Sequence, residues 1–259
     1  MKKTFITLLA LAGVAMGAET LLTMDFTTLT GHTGKSDEPS TLPEGWTAGY
    51  WQGANQPYYT FGENGAVVGN GWKQNYLTYN LDIASQGDYS ITFTLYNGET
   101  DTNNVFFLSS DTYSIAMGNS YSSNANIYVG TLTGAVNFES GKENFVSFQT
   151  ISNGSNTGFT IPTVVDQSEE FSVSGDLTYT LTLSGGDMAI KVTNSAGKSY
   201  ECTLEGMDNV TFDTIGFSTD ASQYKAGIKN ITVTNIPEPA TATLSLLALA
   251  GLCARRRRA

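Results

Sequence analysis

Histidine and cysteine, which supply most zinc ligands and many catalytic side chains, are nearly absent from this chain. Its 259 residues include one histidine, His32, and two cysteines, Cys202 and Cys253. His32 lies in the loop-like stretch GHTGKSDEPS, and a nucleophilic triad would depend entirely on it. The chain has no Cys/His zinc spacing, no HExxH pair and no glycine-rich phosphate loop. These absences argue against zinc enzymes, phosphate-loop proteins and triad hydrolases.

Basic residues are also scarce, and nearly half of them lie at the two ends of the chain. Lysine and arginine total 13 against 24 acidic residues, a formal net charge of -11. Six of the 13 are Lys2, Lys3 and Arg255 to Arg258, which leaves 7 basic and 23 acidic side chains in residues 19–236, a net charge of -16. Such a surface repels phosphate backbones, so no nucleic-acid partner is expected.

Long helical periodicity is missing, whereas short alternating segments are frequent. In DYSITFTLYNG the apolar residues alternate with hydroxyl residues, which predicts a strand with one apolar face: Tyr89, Ile91, Phe93 and Leu95. YTLTLSGGDMAIKVTN has the pattern of a hairpin around Gly185-Gly186-Asp187. Similar runs include NYLTYNLDI, NVFFLSS, YSIAMG, NIYVGTL, NFVSFQTI, TFDTIGFST and GIKNITVTN. The sequence predicts one all-β sandwich of about a dozen strands over residues 19–235.

The two ends of the chain have the composition of export signals. Residues 1–18 begin with two lysines, continue with the apolar run Phe5 to Val14 and finish with small residues, which predicts a secretory signal peptide cleaved after Gly17 or Ala18. The alternative is a buried N-terminal helix. Within residues 236–259, an apolar stretch from Ala240 to Ala254 precedes the arginines and is shorter than the roughly 20 residues of a relaxed membrane span. Flanking arginines favour insertion with the C-terminus in the cytoplasm.

This C-terminal order resembles the PEP-CTERM sorting signal of Gram-negative bacteria, in the version common in Verrucomicrobia-type genomes. The residues that carry the resemblance are Pro237, Glu238, Pro239, the apolar stretch, and Arg255, Arg256, Arg257 and Arg258. The resemblance implies an inner-membrane intermediate, an exosortase-type enzyme that cuts near Pro237 to Pro239, and a final place at the cell surface or in the extracellular matrix. Cys253 would be lost with the tail, leaving Cys202 as a small buried apolar residue on a strand. The alternative is a C-terminal anchor that is never cut.

The middle of the chain resembles the concanavalin A-like, laminin-G-like jelly roll. The residues that carry this resemblance are MDFTTLTG in a first strand, LPEGW, the hairpin, FDTIGFST and the closing GIKNITVTN. The resemblance implies that the first and last strands pair, which would bring both termini together beside the tail. Greek-key sandwiches of other families share the same pattern.

Aromatic residues are concentrated between residues 46 and 79, and all three tryptophans lie there. Flat rings stack on the C–H faces of sugars while amides bond the sugar hydroxyls, so the stretch GYWQGANQPYYTF has the chemistry of a glycan site. The candidate ligand-binding residues are Tyr50, Trp51, Gln52, Tyr58 and Tyr59. The alternative is that these rings fill the core of the sandwich.

No catalytic residues are assigned. Retaining glycosidases need two carboxylates about 5 Å apart. Glu99 and Asp101 could supply part of such a site, but Asn103 and Asn104 follow where a further acidic residue would be needed. The stretch YNGETDTNN also fits a turn between strands. The acidic group Asp166, Glu169 and Glu170 could bind calcium if loop oxygens converge on it, but a solvated loop is the alternative, and the metal site stays unknown. The expected function is an exported, non-catalytic glycan-binding module. Two alternatives remain, a polysaccharide hydrolase with carboxylates on separate strands and a purely structural matrix protein.

Overall fold

The computed structural model describes residues 18–30, 42–50, 59–70, 73–81, 87–98, 102–120, 126–136, 160–165, 171, 174–207, 210–221 and 226–236. These residues form fifteen strands and one short 3-10 turn, Phe26–Thr28. The strands are β1 (Thr20–Asp25), β2 (Trp46–Tyr50), β3 (Tyr59–Gly62), β4 (Gly65–Asn70), β5 (Lys73–Asn80), β6 (Tyr89–Asn97), β7 (Thr102–Ser109), β8 (Tyr113–Ser120), β9 (Asn126–Thr133), β10 (Thr160–Val165), β11 (Gly175–Ser184), β12 (Asp187–Asn194), β13 (Ser199–Leu204), β14 (Thr214–Ala221) and β15 (Ala226–Asn235).

The strands form two antiparallel sheets. In sheet I, one side of β15 pairs with β6, and the sheet continues through β11, β12 and β13. The other side of β15 pairs with β1 and β4, and β3 lies beside β4. Sheet II has the order β10-β9-β8-β7-β14-β5-β2. The β4–β5 hairpin joins the two sheets through the pairs Gly69 with Gln74 and Asn70 with Lys73. The predicted pairing of the first and last strands is confirmed, with Thr20 opposite Thr234 and Asp25 opposite Asn230.

The alternation of apolar and hydroxyl residues places the core between the sheets. On β6, the residues Tyr89, Ile91, Phe93 and Leu95 are all buried, as predicted. Phe93 stacks on Phe106 of sheet II at a centroid distance of 3.8 Å and on Tyr179 of β11 at 4.9 Å. Aromatic stacks of this kind bury large apolar areas and hold the two layers together.

The predicted hairpin is also confirmed. β11 and β12 pair from Leu177 with Asn194 to Ser184 with Asp187, around Gly185 and Gly186. The stretch YNGETDTNN connects β6 to β7, as its turn interpretation predicted. The proposed strand NFVSFQTI lies outside the described residues. The all-β sandwich prediction is therefore confirmed, with more strands than the approximately twelve expected.

Candidate functional site

The register of the strands divides the sandwich into two ends. At one end, named here the proximal end, Asn235 N donates to Glu19 O at 2.9 Å and Glu19 N donates to the Asn235 side chain. Ile236 N donates to Asp88 O at 2.8 Å at the same end. The first and last described residues of the chain therefore lie together. The opposite end is named the distal end.

The candidate stretch 51–58 is flanked by two strand ends at the distal end. Tyr50, the last residue of β2, pairs with Asn75, and Tyr59, the first residue of β3, pairs with Val68. The β4–β5 hairpin turns just beyond these pairs, because Asn70 pairs with Lys73. Residues 51–58 and 71–72 are thus bounded by neighbouring strand ends. Trp51, Gln52, Tyr58 and Trp72 themselves lie outside the described residues.

Five further connections are bounded by strand ends at the distal end. The pairs that establish this are Asn97 with Gly175, Ala221 with Thr102, Ser120 with Asn126, Val165 with Ile127, and Leu177 with Asn194. They delimit residues 98–101, 121–125, 166–174, 195–198 and 222–225. Sequence reasoning missed this convergence, because it depends on pairings between strands that are far apart in the chain.

Two acidic groups of the sequence are bounded by adjacent strand ends within this set. Glu99 and Asp101 follow the end of β6, and Asp166, Glu169 and Glu170 precede the start of β11, its direct neighbour. All five carboxylates lie outside the described residues. Within the part of the chain that the structure describes, no three His, Cys, Asp or Glu side chains come close enough to hold a metal ion.

Part of the aromatic run of the sequence lies in the core. Tyr59 is 5% exposed, and its ring centroid lies 5.6 Å from that of Phe61. Trp46 is buried as well, edge-on to Phe26 at 5.1 Å. Tyr59, one of the candidate ligand-binding residues, therefore packs in the core, which is the alternative that the sequence left open. Tyr50 is the last residue of a strand rather than part of a loop.

Tyr76 is the described aromatic residue nearest to the candidate stretch on the outer face of sheet II. It pairs with Gly49, and a Cβ built on Gly49 would lie 2.1 Å from the Tyr76 ring. The absence of a side chain at Gly49 thus lets the ring rest against β2. Burial raises the pKa of the Tyr76 phenol above its ordinary value. The Gly-Tyr spacing across two short strands gives no recognisable signal in the sequence.

A fixed charge pair lies near the distal end on the outer face of sheet I. Lys229 Nζ lies 2.7 Å from Asp176 Oδ1 and 2.9 Å from Oδ2, and 5.0 Å from the centroid of the Tyr96 ring. The ammonium group therefore has both an anionic and an aromatic partner. The positive charge of Lys229 is neutralised by Asp176. It therefore does not offset the other acidic residues at this end.

The two cysteine predictions have different outcomes. Cys202 lies on β13 and packs half-buried against the core, and burial raises the pKa of its thiol. It is therefore less enclosed than the small buried residue that was predicted. Cys253 lies outside the described residues, together with the sorting motif and the arginines. No helix within the described ranges is long and apolar enough to cross a membrane.

Comparisons with known proteins identify the fold. No protein-family model matches the chain, and neither does any curated protein. The structure is similar to the CBM2 module of the evolved Dit of Lactobacillus casei BL23 phage J-1, at 10% identity over 86% of this chain and 97% of that one, with a TM-score of 0.51. It is also similar to the exoplasmic/lumenal domain of VIP36 in its Ca2+-bound form, at 10% identity over 84% and 90%, with a TM-score of 0.50. The domain is a concanavalin A-like jelly-roll sandwich, as its sequence predicted.

Proposed function

We propose that this chain is an exported, surface- or matrix-targeted protein whose jelly-roll domain binds a glycan at its distal end without catalysis. One observation carries the proposal: the strand ends that bound the stretch 51–58, which contains Trp51 and three amide side chains, lie at the end opposite to the first and last described residues. Binding residues on loops that a rigid scaffold positions are a common arrangement in β-sandwich proteins.

The position of the termini supports the sorting route. Ile236 makes a backbone hydrogen bond to Asp88, and Pro237 follows it directly without an amide donor. The segment that resembles a PEP-CTERM signal therefore starts where the described fold ends. An exosortase-type enzyme would recognise this segment. A domain tethered at its proximal end would direct its distal end away from the membrane, toward extracellular polysaccharide.

The composition of the distal connections supports a glycan ligand. Residues 51–58 and 71–72 contain two tryptophans, a tyrosine and several amides, and no charged side chain. Such a set can stack on sugar rings and bond their hydroxyls, while leaving phosphorylated polymers unfavoured. The CBM2 module and the VIP36 domain have the same overall fold, but a shared fold alone does not assign a ligand.

A polysaccharide hydrolase is the second candidate, and one observation favours it. The connections that contain Glu99 and Asp101 and the group Asp166, Glu169 and Glu170 are bounded by adjacent strands, so carboxylates from separate connections could meet. Against it, β7 continues with Asn103 and Asn104, and the Asn104 amide donates to Tyr96 O at 3.1 Å inside the sandwich. The same carboxylates could instead hold Ca2+. A purely structural matrix role is the third reading.

Glycan binding and cleavage can be separated in one experiment. The exported protein is applied to a polysaccharide and glycan array, and each bound glycan is then incubated with it and assayed for reducing ends. We expect binding without release. Trp51→Ala should weaken binding about tenfold or more, because a stacked ring is lost, with little change in thermal stability.

Trp51→Phe is the matched control, since it keeps an aromatic ring and should retain much of the affinity. Unchanged binding by Trp51→Ala would contradict the assigned site, and loss of folding would place the ring in the core. Reducing-end release that disappears in Glu99→Gln or Asp101→Asn would establish the hydrolase instead. Absence of binding to any glycan, with the folded protein retained in the matrix, would favour the structural role.

A further inference from the structure

The strand β13 forms an open edge of sheet I. Among the described residues it pairs only with β12, in an unbroken register from Met188 with Leu204 to Thr193 with Ser199. Tyr200, Glu201 and Thr203 are exposed, and Tyr200, at 36%, is the single large hydrophobic residue that the described part of the chain exposes. Natural edge strands are commonly protected by charged side chains, proline or a bulge. β13 has neither proline nor a bulge, and its one charged residue, Glu201, is paired with Lys191 of β12 at 2.8 Å.

The free hydrogen-bonding groups of this edge can be assigned from its pairing with β12. Asn194 N donates to Lys198 O at 3.0 Å, where the turn between the two strands closes. Bonded pairs in an antiparallel ladder recur at every second residue, so Tyr200 and Cys202 direct their backbone groups toward β12. The backbone groups of Glu201 and Thr203 are directed toward the open side.

We propose that β13 is a self-association edge, on which β13 of a second copy of this chain pairs in the antiparallel sense. Residues directly opposite each other in a ladder point to the same face of the sheet. A two-fold axis perpendicular to the sheet must therefore pass through a residue, because only then do core-facing residues lie opposite core-facing residues of the second copy. Four such registers pair at least three strand residues of each copy, and they are centred on Tyr200, Glu201, Cys202 or Thr203.

Three of these registers are unfavourable. The register centred on Glu201 places two carboxylates directly opposite each other, which is destabilising. The register centred on Tyr200 pairs only three strand residues before it reaches the turn, where Gly197 has φ 77° and leaves the extended conformation. The register centred on Thr203 also pairs only three strand residues, and it places Glu201 of one copy opposite Glu205 of the other. The register centred on Cys202 therefore remains.

The Cys202 register fits the side chains as well as the backbone. Glu201 of one copy and Thr203 of the second copy exchange two backbone hydrogen bonds through the groups that face the open side. The symmetry-related pair of residues makes the same two hydrogen bonds. Tyr200 lies opposite Leu204, whose side chain belongs to the core cluster, so the exposed ring covers the rim of the partner's core.

The symmetry also fixes the relative direction of the two copies. Antiparallel pairing turns their proximal ends in opposite directions, so the two C-terminal tails of one dimer leave from opposite sides. If the proposed sorting route holds, pairing takes place between copies released from the membrane or held on two facing surfaces. This consequence alone rests on the proposed function.

Thiol cross-linking tests the register in the full chain. In a Cys253→Ser background, Cys202 would face its symmetry mate in a non-hydrogen-bonded pair, with a Cα separation of about 4.5 Å that lies within the range a disulfide accepts. Copper-catalysed oxidation of the purified full chain should give a dimer on non-reducing gels that disappears with Cys202→Ser. Absence of the dimer, while Cys202 of the folded protein still reacts with a maleimide, would overturn the proposal.

Substitution of Thr203 tests the edge without the thiol. Thr203→Pro removes a donor that faces the open side, and two such donors are lost per dimer, so co-capture of two differently tagged chains should fall about tenfold. Thr203→Ala keeps the N–H and is the matched control. If Thr203→Pro does not fold, Thr203→Glu should weaken and Thr203→Lys should strengthen co-capture, because each lies opposite Glu201. Equal co-capture by all four variants would overturn the proposal.

Discussion

Tyr89 is a core residue whose hydroxyl group has been removed from water without compensation. The side chain is 2% exposed on β6, and its hydroxyl makes no hydrogen bond with any described residue. Burial raises the pKa of the phenol well above the ordinary tyrosine value. The hydrophobic contribution of the ring therefore comes with a desolvation cost at its polar tip.

Alkaline pH should destabilise the protein through this residue. The pKa of Tyr89 is higher in the folded state than the value of about 10 expected in the unfolded chain, so the folded state binds the proton more tightly. Its contribution to stability is complete below about pH 10 and is lost as the pH rises toward the folded-state pKa. Denaturant unfolding at pH 7 and pH 10.5 should show this loss.

Tyr89→Phe should raise the free energy of unfolding at pH 7 by about 1 kcal/mol, because it removes the unpaired hydroxyl and keeps the ring. It should also reduce the difference in stability between pH 7 and pH 10.5. Tyr200→Phe, at an exposed position, is the control and should change neither quantity. A Tyr89→Phe variant that is clearly less stable at pH 7 would mean that the hydroxyl has a partner outside the described residues.

The sequence could not show which rings between residues 46 and 79 lie in the core. Trp46 and Tyr59 are buried, yet they occur in the same aromatic, amide-rich composition as Trp51. Burial of a ring depends on which face of which strand it occupies. The strands β2 and β3 have five and four residues, too short for alternation to be read.

Among the elements, the β3–β4 hairpin depends on a close approach between two backbones. Gly65 has φ 81°, and a Cβ at this position would lie 1.9 Å from Ile228 O of β15. The neighbouring atom belongs to the backbone of a central strand and cannot move aside. The left-handed conformation and the lack of space both require glycine here.

Gly65→Ala should therefore lower the free energy of unfolding by about 3 kcal/mol, from the sum of the left-handed strain and the overlap with β15. Gly62→Ala, at the other end of the same turn, is the matched control. Its Cβ would meet nothing within 4 Å, so its effect should stay within about 0.5 kcal/mol. Denaturant unfolding of both variants measures the difference, and similar stability of the two would contradict the proposed backbone contact.

Elements with local signals were predicted well, and elements that depend on distant pairing were not. β6 shows its alternation within nine residues, and β11 and β12 are adjacent in the chain with a glycine turn between them. The distal convergence of residues 51–58 and 71–72, in contrast, follows from the pairs of Tyr50 with Asn75 and Tyr59 with Val68. No local pattern encodes such pairs, so the candidate residues could be proposed from composition but their common location could not.

At the scale of the whole molecule, the chain begins and ends its fold at the same place. β1 and β15 pair beside each other, and β15 is also bonded to β6 along its full length to Asn235. The last strand is therefore held on both sides by pairings that reach Asn235, and Ile236 N donates to Asp88 O. Removal of a tail after this point should leave the stability of the domain unchanged.

Processing of the tail is the prediction that follows at this scale. The full chain should first be found in the inner membrane with the domain outside the cytoplasm, because a short apolar segment followed by Arg255 to Arg258 inserts with its arginines inside. Pro237 and Pro239 favour an extended segment that an exosortase-type enzyme can reach. Mass spectrometry of the surface fraction should then identify a C-terminal peptide that ends between Ile236 and Ala240, and no peptide from Leu244 to Arg255. Recovery of an intact RRRRA terminus from that fraction would instead establish a permanent anchor, and the domain would then remain held at the membrane by its proximal end.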